Sequence, residues 1–522
     1  MQNTAKNIEY LETKCAHQEQ QIAELSAKVN WFEEQHRLNQ LKRFGRSSEV
    51  SSEQISIFNE AEREADFAVP EPTTEEIIYK RRKSKGKRQE QLEDLPVEVR
   101  EYRLLPEEQH CPACGEDLHE MSTEIRREIE IVPAQVKVIE HIRHRYSCRR
   151  CEREAISTPI VTAKMPRPAF PKSLASAATV AYIMSQKYVE GLPLYRQEKA
   201  FERIGVEISR QNMANWIIKG AENWLGPLYE KMREHLLKQE ILHADETSLQ
   251  VLKEPNRAAT SKSFRWLYRS GRDGPPVVLY DYRTTRASKH PLGFLTDFTG
   301  YLHVDGYPGY NNLPGITLVG CWAHARRKFD EALKALPADS KNAAVAAKEG
   351  LAFCNGLFKL ESQMLDLSAE ERYRMWLEKS RPLVADFYAW LAYQRPRVLP
   401  KSSFGGAIGY CFNQREKLEG FLLDGRLELD NNRAERSIKP FVIGRKNWLF
   451  ANTPKGAKAS ATVYSIVESA KENGLNPFVY LKHLFETMSN VDITDHSELE
   501  KLLPWSGDLP PECRSGKQAN MT

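Results

Sequence analysis

Ile241-Leu242-His243-Ala244-Asp245-Glu246-Thr247-Ser248-Leu249-Gln250-Val251 and Tyr301-Leu302-His303-Val304-Asp305-Gly306 decide how the middle of this 522-residue chain is read. Each is a short run with a His-x-Asp triplet inside it. Side chains alternate across a strand, so His243, Asp245 and Thr247 share one face while Glu246 points to the other, and His303 and Asp305 pair in the same way. If the two strands lie side by side and parallel, their aspartates meet at one end of a sheet. Between them, Phe264–Tyr268 and Val277–Tyr282 read as two more strands, joined by the turn Ser270-Gly271-Arg272-Asp273-Gly274. Ile316–Gly320 reads as a fifth, running into a helix that starts near Trp322 and carries His324, Arg326, Arg327 and Lys328. Three hairpin-connected strands, then strands alternating with helices, predict a mixed α/β sheet of ribonuclease H-like type.

A third carboxylate comes much later. Residues 331–425 read as an all-α block (Ala343–Leu360, Ala369–Tyr393 and Ala407–Leu423) that interrupts the sheet domain. After it stands Leu427-Glu428-Leu429-Asp430-Asn431-Asn432-Arg433-Ala434-Glu435-Arg436-Ser437-Ile438-Lys439-Pro440. Asp430 or Asn431 is expected to cap a short helix carrying Glu435, and Pro440 to end or kink it. The bland alternative is an i,i+4 ion pair between Glu435 and Lys439. Asp430 is the rival third carboxylate; Glu435 is favoured because a helix body fixes a ligand better than a cap. Mg²⁺ (or Mn²⁺) is a hard ion that takes carboxylate oxygens and keeps positions open for phosphate. Two such ions about 3.5–4 Å apart activate a water or a 3′-hydroxyl and stabilise the leaving oxygen. Asp245, Asp305 and Glu435 are therefore the candidate catalytic and metal-binding residues. Arg326, Arg327, Lys328, Arg436, Lys439, Arg445 and Lys446 are the cations expected to hold DNA strands. Trp448 either stacks on an unpaired base or packs in the core.

Around this centre the chain is modular, as its length requires, since single cores rarely grow past roughly 250–300 residues. Charged residues make up 28% and the hydrophobic set 41%, and the net charge of +4 is too small to prove a nucleic-acid partner. No run of 18 apolar residues occurs, and Met1-Gln2-Asn3-Thr4 lacks the apolar core of a signal peptide. Ile8, Cys15, Ile22 and Val29, with Leu11, Gln18, Leu25 and Phe32, make an a/d heptad series. It suits a self-associating coiled coil or a helix packed on its own chain. Residues 80–88 hold seven cations in nine positions, Arg81, Arg82 and Lys83 among them. That run is either a solvated segment or a phosphate-neutralising arm. Cys111-Pro112-Ala113-Cys114 and Cys148-Arg149-Arg150-Cys151 supply four thiolates suited to a structural Zn²⁺. The alternation through Val132, Val136 and Val138 in Ile125–Ile142 suggests zinc-ribbon strands. Leu174–Tyr188, Leu194–Arg203 and a helix capped by Ser209, with Gly205 in the turn, form a helix-turn-helix-like pattern that serves DNA reading or packing.

The chain resembles the transposases of the insertion sequence 66 family, bacterial DDE enzymes. The likeness is carried by Phe44-Gly45-Arg46-Ser47-Ser48-Glu49, the two-knuckle cysteine module and Leu194-Tyr195-Arg196-Gln197-Glu198. It continues through His243-Ala244-Asp245-Glu246-Thr247, Val304-Asp305-Gly306-Tyr307, Cys321-Trp322-Ala323-His324-Ala325-Arg326-Arg327-Lys328-Phe329 and Asp430-Asn431-Asn432-Arg433-Ala434-Glu435-Arg436. Arg445-Lys446-Asn447-Trp448-Leu449-Phe450 and Leu502-Leu503-Pro504-Trp505 complete it. The resemblance implies that Asp245, Asp305 and Glu435 are the catalytic triad. It implies an insertion domain before the glutamate, and the element's own terminal inverted repeats as substrate. Accessory proteins of the same element are further partners it allows. A non-catalytic DNA-binding protein descended from such an enzyme is the alternative, and another ribonuclease H-like nuclease a third.

The expected architecture is multidomain α+β. It runs coiled-coil helix (1–47), basic linker or arm (48–100), zinc-binding module (101–160), helix-turn-helix-like segment (165–237) and first part of the ribonuclease H-like core (238–330). The all-α insertion (331–425), the last part of the core with the glutamate helix (426–455) and a C-terminal helical segment and tail (456–522) follow. A homodimer or larger assembly on DNA, in the bacterial cytoplasm with the nucleoid and without membrane contact, is expected.

Overall fold

The computed structural model describes residues 135–147, 160–335 and 345–515, with isolated positions at Lys14, Gln18, Val29, His36 and Arg153. The expected coiled coil, the basic arm with Arg81, Arg82 and Lys83, and the cysteines Cys111, Cys114, Cys148 and Cys151 lie outside the described residues. The chain forms two compact units, residues 1–45 with 143–522, and residues 46–142. Of the second, residues 135–142 are described; they are exposed and form no strand. Val136 and Val138 are thus exposed and outside any strand, and residues 125–134 of the expected ribbon, Val132 included, lie outside the described residues. A short antiparallel pair lies in the first unit, β1 (Arg145–Ser147) with β2 (Ile160–Thr162).

The helical segment follows the sequence closely. α1 (Ala177–Tyr188) is capped by Ser176, whose hydroxyl accepts from Thr179 N, and α2 is Leu194–Arg203. Gly205 takes a positive φ in the turn, and Ser209 caps α3 (Arg210–Gly220) through Asn212 N. α3 does not stop where a free recognition helix would. A π-turn at Ala221–Leu225 joins it to α4 (Gly226–Leu237). Met213 and Ile217 are buried, while Gln211, Asn215 and Lys219 stay exposed.

The central sheet has five strands: β3 (Ile241–Gln250), β4 (Lys262–Ser270), β5 (Val278–Arg283), β6 (Gly300–His303) and β7 (Ile316–Val319). A short helix, α5 (Lys289–Phe294), lies between β5 and β6. The sheet order is β5-β4-β3-β6-β7, antiparallel from β5 to β3 and parallel from β3 to β7. Both edges are covered. β5 offers its outward amides to helix α13 (Pro454–Glu472), where Ser469 Oγ accepts from Val278 N at 2.9 Å and Ser465 Oγ from Tyr280 N at 2.8 Å. Two helical serines thus satisfy an edge that would otherwise invite another strand. At the β7 edge, Gly320 N donates to Lys417 O at 2.7 Å.

α6 (Trp322–Ala335) leaves the sheet and meets the expected helical block: α7 (Val345–Ser362), α8 (Ala369–Met375), α9 (Arg381–Gln394), α10 (Ser403–Asn413) and α11 (Arg415–Glu419). Trp322, fully buried, donates Nε1 to Leu418 O at 2.8 Å and packs on Phe387 and Phe421. A second apolar cluster forms there, separate from the one uniting the sheet with the N- and C-terminal helices.

One glycine is dictated by the backbone. Gly300 opens β6 at φ +140°, and a Cβ there would lie 2.3 Å from Glu240 O. Gly300→Ala should cost about 1–3 kcal/mol in backbone strain alone. Urea unfolding checks this; an unchanged midpoint would refute it.

Candidate active site

β3 and β6 are adjacent and parallel, pairing His243 with His303. Asp245 lies within β3, whereas β6 ends at His303, so Asp305 sits in the turn two residues on rather than in the strand expected to reach Gly306. Asp305 Oδ1 accepts from Tyr307 N at 2.8 Å, which closes that turn. Gly306 allows the insertion to come close, since a Cβ there would lie 2.7 Å from the Tyr410 ring. Asp245 Oδ1 accepts from Glu246 N at 2.8 Å.

Glu435 lies in the first turn of α12 (Asn432–Trp448). Of the two expected effects of Pro440, ending or kinking the helix, the first does not occur; α12 continues two turns past it. Proline removes one hydrogen bond and crowds the preceding turn, but here tertiary packing outweighs that loss. Ala434, Ser437 and Ile438 before it, and Phe441 and Gly444 after it, are all buried. Contacts to β3 also hold both ends of the helix. Asn431, just before it, accepts from His243 Nδ1 at 2.9 Å and donates Nδ2 to Ala244 O at 2.8 Å. At the far end Arg445 donates to Ser248 O and, at 3.3 Å, to Thr247 Oγ1, and Ala451 N donates to Gln250 O at 2.9 Å.

That arrangement bears on two of the residues read from the sequence. Arg445 is half-buried against β3 rather than presented as an open DNA clamp. Trp448 joins Tyr188 and Tyr464 in an aromatic cluster, with Lys187 Nζ 4.2 Å from its ring, so packing is its role. Asn431 is not a side-chain cap, because its amide is committed to β3. Asp430 takes the capping contact, accepting from Asn432 N at 3.0 Å and Asn432 Nδ2 at 2.6 Å. Glu435 has His324 Nδ1 and Arg327 Nη2 each at 3.7 Å as its ion-pair neighbours, in place of the supposed Lys439. Arg326, Arg327, Lys328, Arg436 and Lys446 are exposed and Lys439 is half-buried.

Sequence reading noticed the His-x-Asp echo but not its use. The His243 and His303 rings stack, 4.3 Å apart and 9° from parallel, with both side chains fully buried. Burial lowers His243 to about 4 and His303 well below its ordinary range, so both are neutral at pH 7. Asn431 presents its oxygen to His243, which makes Nδ1 the protonated nitrogen. His303 Nε2 accepts from Glu428 N at 3.3 Å. A buried neutral stack thereby fixes the two aspartate strands to each other and to the segment leading into Glu435. Glu246, on the opposite face, accepts from Arg286 Nε at 2.8 Å and Tyr310 OH at 2.5 Å.

The electrostatics converge on Asp245. Burial, then the charges of Glu246 and Asp305, and finally Glu435, hold its carboxyl well above the ordinary range. A cation between these groups would reverse that penalty. Glu428 behaves oppositely. Burial would raise it, but His243 and the hydrogen-bonded Arg433 guanidinium bring it to about 2. Since His243 is neutral at pH 7, Arg433 supplies the attraction there. A carboxylate depressed in the fold contributes stability above its unfolded pKa of 4.5 and loses it as pH falls toward 2. The stability difference between wild type and Glu428→Gln should therefore shrink by roughly 2 kcal/mol between pH 6 and pH 3. Denaturant melts at the two pH values measure it; a constant difference would refute the assignment.

Among the described residues no helix is long and apolar enough to cross a membrane. Comparison with known proteins places the chain. Residues 172–459 match the model described as the transposase IS66 family, and residues 108–152 the zinc-finger binding domain of transposase IS66. Residues 465–505 match the IS66 C-terminal element, and residues 31–100 a model described as transposase C of IS166 homeodomain. Two Sinorhizobium fredii proteins, both named as uncharacterized, are similar over most of their length. Protein y4qI is 33% identical over 397 residues, 72% of this chain and 70% of its own. Protein y4jD is 30% identical over 428 residues, 79% of this chain and 81% of its own. The chain belongs to the IS66 family of transposases, with DNA-binding elements, a zinc-finger domain, and DNA as its partner.

Proposed function

We propose that this transposase is catalytically competent, and that it cuts DNA at the terminal inverted repeats of its element and joins the freed ends to a target. Asp245, Asp305 and Glu435 are its catalytic residues. The observation that supports this is the pairing of the two aspartate strands, β3 beside β6 and parallel to it; the Asp245 carboxyl, raised first by burial and by Glu246, also feels the charges of Asp305 and Glu435. The strand order, three antiparallel strands followed by two parallel ones, supports a ribonuclease H-like core.

Carboxylates whose charges act on one another are the donors a hard divalent ion takes, and Glu435 Oε1 is buried without a hydrogen-bond partner. When bound there, Mg²⁺ or Mn²⁺ supplies the Lewis acidity that activates the attacking oxygen and stabilises the leaving one. The protein's own residues do the rest. Asn431 and the histidine stack hold the three carboxylates in register. Tyr307 N and Glu246 N each fix one aspartate oxygen, leaving the second free to ligate. Asp430 has both oxygens engaged by Asn432, which favours Glu435 as the third ligand. The exposed Arg326, Arg327, Lys328, Arg436 and Lys446, with the half-buried Lys439, hold phosphates; Arg327 stands 3.7 Å from Glu435. Arg81, Arg82 and Lys83 add salt-dependent affinity from the arm. Cys111, Cys114, Cys148 and Cys151 hold a structural Zn²⁺, and the N-terminal heptads pair two copies so that two ends are held together.

Purified protein with a labelled element end, with and without Mg²⁺, tests the proposal. Divalent-dependent nicking at the repeat boundary is expected. Specific binding with no cleavage under Mg²⁺ or Mn²⁺ would overturn it.

A further inference from the structure

Beside the acidic set lies a second group of donors with different chemistry. Cys321 precedes α6 and is 1% exposed; His324 lies in the first turn of that helix. The ligand atoms of Cys321, His324 and Glu435 all lie within 4.8 Å of one another. His324 Nδ1 and Glu435 Oε1 are both buried, have no hydrogen-bond partner and stand 3.7 Å apart. A buried imidazole nitrogen and a buried carboxylate oxygen left unsatisfied side by side are costly unless something joins them. Cys321 Sγ accepts from Asn431 N at 3.2 Å, which fixes the sulfur beside the other two donors. Trp322 N donates to Leu429 O at 3.1 Å, so the start of α6 and the segment entering α12 are locked in register.

We propose that Cys321, His324 and Glu435 form a binding site for a borderline-soft divalent cation of the Zn²⁺ or Co²⁺ class. One sulfur, one nitrogen and one oxygen are the donors such ions prefer, whereas Mg²⁺ takes oxygens. Three protein donors leave a further position open, and the part-exposed His324 and Glu435 provide the way in. The site shares Glu435 with the proposed catalytic set. A cation seated there withdraws that carboxylate from the hard-metal site, so Zn²⁺ is an inhibitor of Mg²⁺-dependent cleavage. The inhibitory consequence rests on the proposed catalytic reading; the binding does not.

The test is titration of the purified full-length protein with Co²⁺, following sulfur-to-cobalt charge-transfer absorption and the number of equivalents bound. Wild type and Asp245→Asn should each take one equivalent more than Cys321→Ala or His324→Ala. That difference holds whatever the Cys111, Cys114, Cys148 and Cys151 module takes. Circular dichroism melts establish that each variant is folded, and His324→Ala decides if Cys321→Ala is not. Equal equivalents and equal spectra in wild type and a folded variant would overturn the proposal. In the cleavage assay, Cys321→Ala should need at least about tenfold more Zn²⁺ for half-inhibition than wild type. If wild type shows no Mg²⁺-dependent cleavage at all, the catalytic reading fails while the cobalt result stands by itself.

Discussion

Asp245→Asn and Glu435→Gln are each expected to lower Mg²⁺-dependent cleavage and strand transfer by at least about a thousandfold, roughly 4 kcal/mol of barrier at 1.36 kcal/mol per decade. Both exchanges keep the shape of the side chain and remove its charge, so a hard cation loses a ligand while the fold keeps its packing. The same exchange at Asp245 should not weaken the metal-free protein. Burial and the charges of Glu246, Asp305 and Glu435 already oppose its ionisation, and a neutral amide escapes them. Thermal melts in chelator should therefore show Asp245→Asn at least as stable as wild type at pH 7, the usual sign of a residue kept for function at a cost in stability. Single-turnover cleavage of a labelled end reads the first effect. Full activity in either variant would remove that residue from the proposed triad, and a strongly destabilised Asp245→Asn would make its role structural.

The second large effect is expected at Asn431, which never contacts the reacting atoms in this scheme. Its side chain is 1% exposed and bridges His243 Nδ1 and Ala244 O, and its backbone N–H serves Cys321. Asn431→Ala leaves a buried imidazole N–H and a buried carbonyl without partners, at about 1–3 kcal/mol each, so a loss of roughly 2–5 kcal/mol is expected. Because Asn431 ties β3 to the helix bearing Glu435, cleavage should also fall in the protein that remains folded. Asn431→Asp separates the two contributions. It keeps the acceptor for His243 but loses the donor to Ala244, so it should lose less stability than alanine. Urea unfolding and cleavage by folded protein at matched temperature read both. If alanine costs less than about 1 kcal/mol, the bridge does not hold the site together.

How far the chain could be read depends on the kind of signal each part carries. The five strands, the three-helix segment with Ser209 as a cap, and the helical block after α6 were legible because each depends on local periodicity and capping. The repeated His-x-Asp triplet raised the adjacency of β3 and β6 as a condition, which the parallel pairing meets. What escaped were contacts between residues far apart in sequence. Nothing near Pro440 says that a buried face and two attachments to β3 will carry the helix through a proline. Arg445 reads as a clamp until it is seen donating to Ser248, and Trp448 stays open between base stacking and packing until Tyr188 and Tyr464 surround it.

By itself, then, the sequence determined the succession of strands along the chain, the placing of Asp245 in a strand and Glu435 in a helix, and membership of a transposase family through motifs spread along the chain. Such features are written in runs of neighbouring residues, where spacing translates directly into which face a side chain occupies. Only the tertiary structure decided that His243 stacks on His303, that Asn431 rather than a cap joins β3 to α12, and that Cys321, His324 and Glu435 meet. Those are side-chain meetings across as many as 188 residues. They are set by burial and by the need of each buried polar atom for a partner, which no local pattern records.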